Sequence, residues 1–283
     1  MHSLGVVFWI AEAGATKTDW MRSDGVRLRL VGFNLEAEGG IAAARAHFAA
    51  VRKALTEAQW PWPKTLYYYG PALHNAENQT TIRLVLQESF PEIGEIVVVH
   101  DLIGAARAAW GRERGIVCIL GTGSNCALYD GEQIVQQRGG HGYLLGDEGS
   151  GADLGKHLLS ALLHEEVPED LLAAFRAQYP QSPIDLRKEV YRAARPSAFL
   201  AGFAFFLSAQ QEHPWVRALV RSRLEAFVQR TWKRWEPTEP IRYVGGVAAA
   251  FAPLLAEVTQ AASGIWAGVV HDPAEKLLQF HRS

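Results

Sequence analysis

Residues Glu12 to Asp19 read Glu-Ala-Gly-Ala-Thr-Lys-Thr-Asp: an acid, a run of small residues, two hydroxyls and a cation. Small residues let backbone amides come close to phosphate oxygens, while Thr16, Lys17 and Thr18 add donors and positive charge around Gly14. A plain small-residue hairpin would look similar. A second segment of the same character is Leu120-Gly121-Thr122-Gly123-Ser124-Asn125. It is not a GxGxxG fingerprint, because Cys126 stands where the third glycine belongs. Gly155-Lys156 is not a Walker A motif either, since it lacks the upstream glycine and is followed by His157. Between the two turns, Val99-His100-Asp101 ends an apolar run. A carboxylate there is either a helix N-cap or a general base at the carboxyl end of a strand. The fourth segment, Gly139 to Ala152, has five glycines in its first eleven residues and the adjacent acids Asp147 and Glu148. Such glycine density lowers stability unless something must approach closely. The apolar Tyr143-Leu144-Leu145 inside it points to burial against a partner surface rather than to a solvated loop. Late in the chain, Gly245-Gly246 joins a strand to a helix and suits contact with an adenine ring.

The elements that must position these segments are legible from periodicity. Leu4–Ala11, Lys17–Arg22 and Val26–Gly32 form an opening meander, with Asp24-Gly25 as a hairpin signal. Ile41–Glu57 has helical spacing, Thr65–Tyr69 reads as a strand, Asn78–Ser89 as a helix, Ile96–Val99 as a strand and Leu102–Trp110 as a helix. The pattern then restarts. Ile116–Leu120, Asn125–Tyr129 and Gln133–Gln137 form a second meander around Asp130-Gly131. Residues 151–234 are almost wholly helical in pattern. A strand over Ile241–Val244 leads into a helix running to about Glu257, followed by a strand over Ile265–Val270 and a helix over Pro273–Phe280. Two meanders, each followed by mixed helix and strand, imply an internal duplication with mixed sheets in both α/β halves.

Composition narrows the class. Hydrophobic residues make up 48% of the 283 and charged residues 20%, enough to build a core. A net charge of -2 argues against a nucleic-acid partner, and the basic residues Arg221, Arg223, Arg230, Lys233 and Arg234 read as a solvated helix face. Cys118 and Cys126 read as buried reduced thiols. The Met1–Ile10 run lacks a basic n-region and a cleavage site, and no stretch is long enough to span a bilayer. A cytoplasmic protein with no membrane partner is the expectation.

Two phosphate-type hairpins, one per half, with a carboxylate between them and a late Gly-Gly turn, resemble the order found in actin/hexokinase-type ATPases. Within that class the chain is similar to the BadF/BadG/BcrA/BcrD ATPase family, and in particular to its N-acetylglucosamine kinases. The resemblance lies in Gly14–Trp20, Leu120–Asn125, Gly142–Gly151 and Gly245–Ala248, and it covers residues 6 to 280, although 160–235 carry no recognisable motif. It implies duplicated ribonuclease H-like domains with a central cleft: 1–111 plus 269–283, and 112–268 with a helical insertion. It implies transfer of the γ-phosphoryl of ATP to the 6-hydroxyl of an N-acetylhexosamine, with Mg²⁺ as cofactor and a homodimer as the usual assembly.

The resemblance also implies roles. Asp101 would accept the hydroxyl proton, while Asn34, Asp101, Gly146 and Asp147 would line the sugar. Gly14, Thr16, Lys17, Thr18, Thr122 and Gly123 would hold the phosphates, Gly245 and Gly246 would face adenosine, and Glu12 would hold the metal. Two departures stand out. Relatives usually carry Asp at the position of Glu12, and an extra methylene matters to an ion as geometrically strict as Mg²⁺. Relatives also commonly carry tryptophan at the position of His141. Two alternatives follow: a non-catalytic sugar or nucleotide sensor with a weakened metal site, and an ATPase activator with an iron–sulfur cluster, for which Cys118 and Cys126 are poorly placed.

Overall fold

The computed structural model describes residues 7–36 and 39–283; the Leu4–Val6 part of the expected first strand lies outside them. The chain divides into two compact units, Met1–Glu113 with Asp272–Ser283, and Arg114–His271. Each is built on one five-stranded mixed sheet.

In the first unit, β1 (Phe8–Ala13), β2 (Lys17–Arg22) and β3 (Arg27–Val31) form the antiparallel meander, and β4 (Thr65–Gly70) and β5 (Glu95–His100) extend it in parallel from β1. The sheet order is β3-β2-β1-β4-β5. Strand side chains alternate between faces, so both faces of this sheet can be apolar and covered. Trp9, Ala11, Trp20, Leu66, Tyr68 and Val98 point to one side, against α1 (Gly40–Glu57) and α2 (Ala76–Ser89), where Phe48, Leu55, Val85 and Phe90 are fully buried. Ile10, Met21 and Tyr69 point to the other side. They meet α3 (Asp101–Trp110) and, from the far end of the chain, Ala274, Leu277 and Leu278. The chain end therefore belongs to the first unit. His281 stacks on Tyr67 at 3.8 Å and lies 2.7 Å from the Tyr69 hydroxyl, which also accepts from Arg107 at 2.9 Å.

The second unit repeats the plan. β6 (Gly115–Leu120), β7 (Ser124–Tyr129) and β8 (Ile134–Gly139) form the meander, and β9 (Pro240–Val244) and β10 (Ile265–Val270) continue it in parallel, in the order β10-β9-β6-β7-β8. The helices are α4 (Gly142–Leu145), α5 (Gly151–Leu163), α6 (Glu169–Gln178), α7 (Pro183–Arg192), α8 (Pro196–Gly202), α9 (Ala204–Ala209), α10 (Pro214–Arg230), α11 (Gly246–Ala250) and α12 (Ala252–Ala261); α13 (Pro273–Arg282) is the helix that returns to the first unit. Cys118 and Cys126 pair across β6 and β7, both fully buried and unbridged, with Sγ atoms 3.2 Å apart. Among the described residues no helix is long and apolar enough to cross a membrane.

Three sequence expectations change here. The helix expected to run unbroken to Glu257 stops at Phe251 and restarts at Ala252, because Pro253 fits only the first turn of a new helix. Leu144 and Leu145 are 75% and 84% exposed in a single helical turn, and only Tyr143 packs on the core of its unit. Four of the five basic residues expected to form a solvated face are not simply solvated: Arg221 pairs with Glu257, Arg223 with Asp153, Arg230 with Glu148, and Lys233 donates to the Ala262 carbonyl.

The insertion packs tightly through a helical glycine. A Cβ on Gly155 in α5 would lie 1.9 Å from the Leu200 carbonyl oxygen of α8, a backbone atom that cannot turn aside. Gly155→Ala is expected to cost on the order of 1–3 kcal/mol from overpacking. Urea unfolding measures this directly, and an unchanged midpoint would mean that α8 shifts freely.

Candidate active site

In the first unit, the parallel strands β1 and β5 deliver the two acids of interest at their carboxyl ends. This is where open α/β sheets place their ligands. Glu12 is the penultimate residue of β1, and Asp101 follows β5 directly. Asp101 is not the N-cap of α3. His100 occupies that position without a side-chain cap, and Asp101 opens the first turn, its Oδ1 lying 3.1 Å from His100 Nε2. The N-terminal end of the helix favours a negative charge there.

Burial raises the pKa of Asp101 to about 7; the Leu102 amide opposes the shift and the charge of Glu12 adds to it. Glu12 is also pushed up to about 7, by burial first and then by Asp19 opposite it across β1 and β2. Asp19 behaves in the opposite way. Its side chain is almost wholly buried, yet it accepts two hydrogen bonds each from Arg27 and Arg29 at 2.7–3.1 Å. Burial alone would raise Asp19, but the guanidiniums hold it at about 2. One acid is thus committed to arginines, while burial makes two others hold their protons up to near neutrality.

The turn after β1 closes with the Gly14 amide donating to the Lys17 carbonyl at 2.8 Å. Thr16 and Lys17 are exposed on it, as a phosphate contact requires. Thr18 departs from expectation: strand alternation turns it to the α1 and α2 face, where it is 1% exposed, so its hydroxyl is closed to a phosphate in this conformation. Gly32 lies directly on this turn, its amide donating to the Thr16 carbonyl at 3.1 Å. A Cβ there would come within 2.1 Å of the Gly14 carbonyl oxygen. The loop that follows presents Asn34, whose Oδ1 accepts the Glu36 amide at 3.0 Å.

Sequence reasoning missed the side chains linking this loop to Asp101. Glu36 accepts from Asn78 at 3.0 Å and lies 3.7 Å from His74, whose ring packs edge-on against His100. Burial, and then His74, lowers the His100 pKa to about 4, so it is neutral at pH 7. The partners come from three separated segments and no local motif marks them.

In the second unit, the Thr122 turn is fastened to α5. The Gly151 and Ala152 amides donate to the Gly121 and Thr122 carbonyls at 2.8 and 3.1 Å. Gly245, at φ +118°, packs on the same turn; a Cβ there would meet the Leu120 carbonyl oxygen at 2.4 Å. Gly246 opens α11 with free space beside it. Asp147 is buried in a left-handed conformation, with φ 58°. Its Oδ2 fills the space that a Cβ on Gly123 would need, at 2.7 Å, and Gly146 precedes it. Burial raises the Asp147 pKa against the pull of the Ser124 and Gly142 amides. Thr122, Gly123, Asp147, Gly245 and Gly246 thus gather around one turn.

Among the described residues no group of three or more His, Cys, Asp or Glu side chains is arranged to hold a metal. Glu12 is a single carboxylate beside the first turn. That fits an ion such as Mg²⁺, which takes one or two carboxylates and leaves its other positions to water and phosphates.

A duplicated α/β unit with a small-residue turn after the first strand of each half, and a carboxylate at the end of a parallel strand of the same sheet, defines the actin/hexokinase-type ATPase fold. No protein-family model matches the chain. A structure from Porphyromonas gingivalis, provisionally described as an N-acetylglucosamine kinase, is 32% identical with TM-score 0.86, covering 97% of this chain and 98% of that one. A second of the same description, from Chromobacterium violaceum, shares the fold at 22% identity and TM-score 0.73, covering 98% and 99%. The curated N-acetylmuramic acid/N-acetylglucosamine kinase of Clostridium acetobutylicum is 39% identical over 71 residues, which span only 25% of this chain and 23% of that protein. By its full-length match to the Porphyromonas protein, the chain belongs to the N-acetylglucosamine kinase family of sugar kinases.

The raised acids couple folding to pH. Glu12 and Asp101 bind protons more tightly in the folded chain than at their unfolded values of 4.5 and 3.8. Stability is therefore highest below about pH 4 on their account and falls as pH rises to about 7. Asp19 acts in the opposite sense, and only below about pH 4. Glu12→Gln should flatten the decline between pH 5 and 7 in urea unfolding. An unaltered slope would show that Glu12 ionises normally.

Proposed function

We propose that the protein transfers the γ-phosphoryl group of ATP to the 6-hydroxyl of an N-acetylhexosamine, with N-acetylglucosamine as the preferred substrate. The observation that carries this reading is Asp101: a carboxylate at a strand end, poised near neutrality, within the same unit as the first small-residue turn and Asn34. A general base works best when its pKa lies near the working pH. Asp101 takes the hydroxyl proton as that oxygen attacks the terminal phosphorus, while Asn34 orients the sugar. Phosphoryl transfer asks the protein mainly for positioning and charge stabilisation. Thr16 and Lys17 serve the phosphates in one unit, and Thr122 and Gly123 do so in the other. Gly245 and Gly246 provide the flat surface beside adenosine, where side chains would intrude. Glu12 would hold Mg²⁺ together with the nucleotide phosphates, and the ion when bound supplies charge neutralisation.

The test is sugar-dependent ADP release followed against pH. Activity should rise with pH through about 7 as Asp101 and Glu12, both held protonated by burial, lose their protons. Asp101→Asn should lower kcat roughly 10²- to 10⁴-fold with sugar binding retained. Near-full activity in that variant would remove Asp101 from the chemistry.

A further inference from the structure

Glu36 is fixed by its surroundings rather than hanging freely in solvent. The Asn34 side chain sets the turn that aims it, and the Asn78 amide donates both to Glu36 Oε1 at 3.0 Å and to the Ala72 carbonyl at 2.7 Å. His74 Nε2 approaches the same oxygen, Oε1, at 3.7 Å. The His74 ring leans on His100, and His100 touches Asp101 at 3.1 Å. The row Glu36, His74, His100, Asp101 thus runs from the Asn34 loop to the proposed base, with a carboxylate at each end. His100 is uncharged at neutral pH. Glu36 remains 56% exposed, so its charge is felt by anything seated beside Asn34.

We infer that Glu36 is a specificity-determining residue that makes this site select uncharged N-acylated hexosamines and disfavour those bearing a carboxylate. The inference rests on the sugar-kinase reading given above. N-acetylglucosamine and N-acetylmuramic acid differ by a lactyl ether whose carboxylate is ionised at neutral pH. Brought beside Asn34, that carboxylate faces the Glu36 carboxylate and, in the reactive state, ionised Asp101. A like charge a few ångströms away at a partly solvated rim weakens binding by on the order of tenfold. A neutral sugar incurs no such cost, and its hydroxyls can donate to the same carboxylate.

The measurement is kcat/KM for both sugars at pH 8, for the wild-type chain and for Glu36→Gln, which keeps the shape and removes the charge. The wild type should favour N-acetylglucosamine by about tenfold or more, and the variant should shrink that ratio several-fold. Raising salt to about 1 M, where screening acts within roughly 3 Å, should shrink the wild-type ratio in the same direction without any mutation. This second readout decides the matter if the variant folds poorly. A ratio insensitive to both salt and Glu36→Gln, with at least one sugar phosphorylated, overturns the inference and leaves the kinase reading standing. Phosphorylation of neither sugar overturns both.

Discussion

The candidate site depends on main chain lying directly on main chain at two turns. Gly32 sits where any Cβ would meet the Gly14 carbonyl oxygen, and Gly245 where it would meet that of Leu120. Each contact pins a turn that follows the first strand of its unit. At the first, it carries Asn34 and Glu36 to the same rim. At the second, the Gly151 and Ala152 amides complete the clamp, and Asp147 fills the volume left open at Gly123. Backbone contacts of this kind hold a turn without lining it with side chains, which leaves room for a ligand's phosphates.

Electrostatics then sorts acids of similar type into different roles. Asp19 is buried deepest, and its charge is stabilised by Arg27 and Arg29. Glu12, directly across the strand pair, receives no such hydrogen bonds and burial raises it to about 7; burial raises Asp101 likewise, against the pull of the Leu102 amide. Sequence alone presents two acids flanking a small-residue turn and a third at the end of an apolar run. The environment decides which stays ionised as a structural tie and which can exchange protons.

Much of the fold was legible because strand and helix periods are local. The two meanders, the parallel strands after them and the closing helix over 273–282 lie within a few residues of where apolar spacing puts them. The small-residue turns were legible because glycine runs carry a cost that needs a reason. What escaped was set by distant partners. The link from Glu36 to Asp101 draws on the loops after β3 and β4 and on the end of β5. The arginines of α10 find Asp153, Glu148 and Glu257, acids 36 to 82 residues away. The burial of Thr18 had no local signal, since both faces of β2 are covered and alternation places Thr18 with Trp20 on one of them. Pro253, by contrast, announces a new helix start that periodicity across Phe251 conceals.

The central claim is that the acid at the end of β5 directs a phosphoryl group to a sugar's primary hydroxyl. The most direct test is proton-coupled ³¹P NMR of the product formed from N-acetylglucosamine and Mg-ATP. The account predicts a phosphomonoester signal split by the two C6 protons, appearing in step with ADP. Inorganic phosphate as the only product accompanying ADP, or an ester on another carbon, would contradict it.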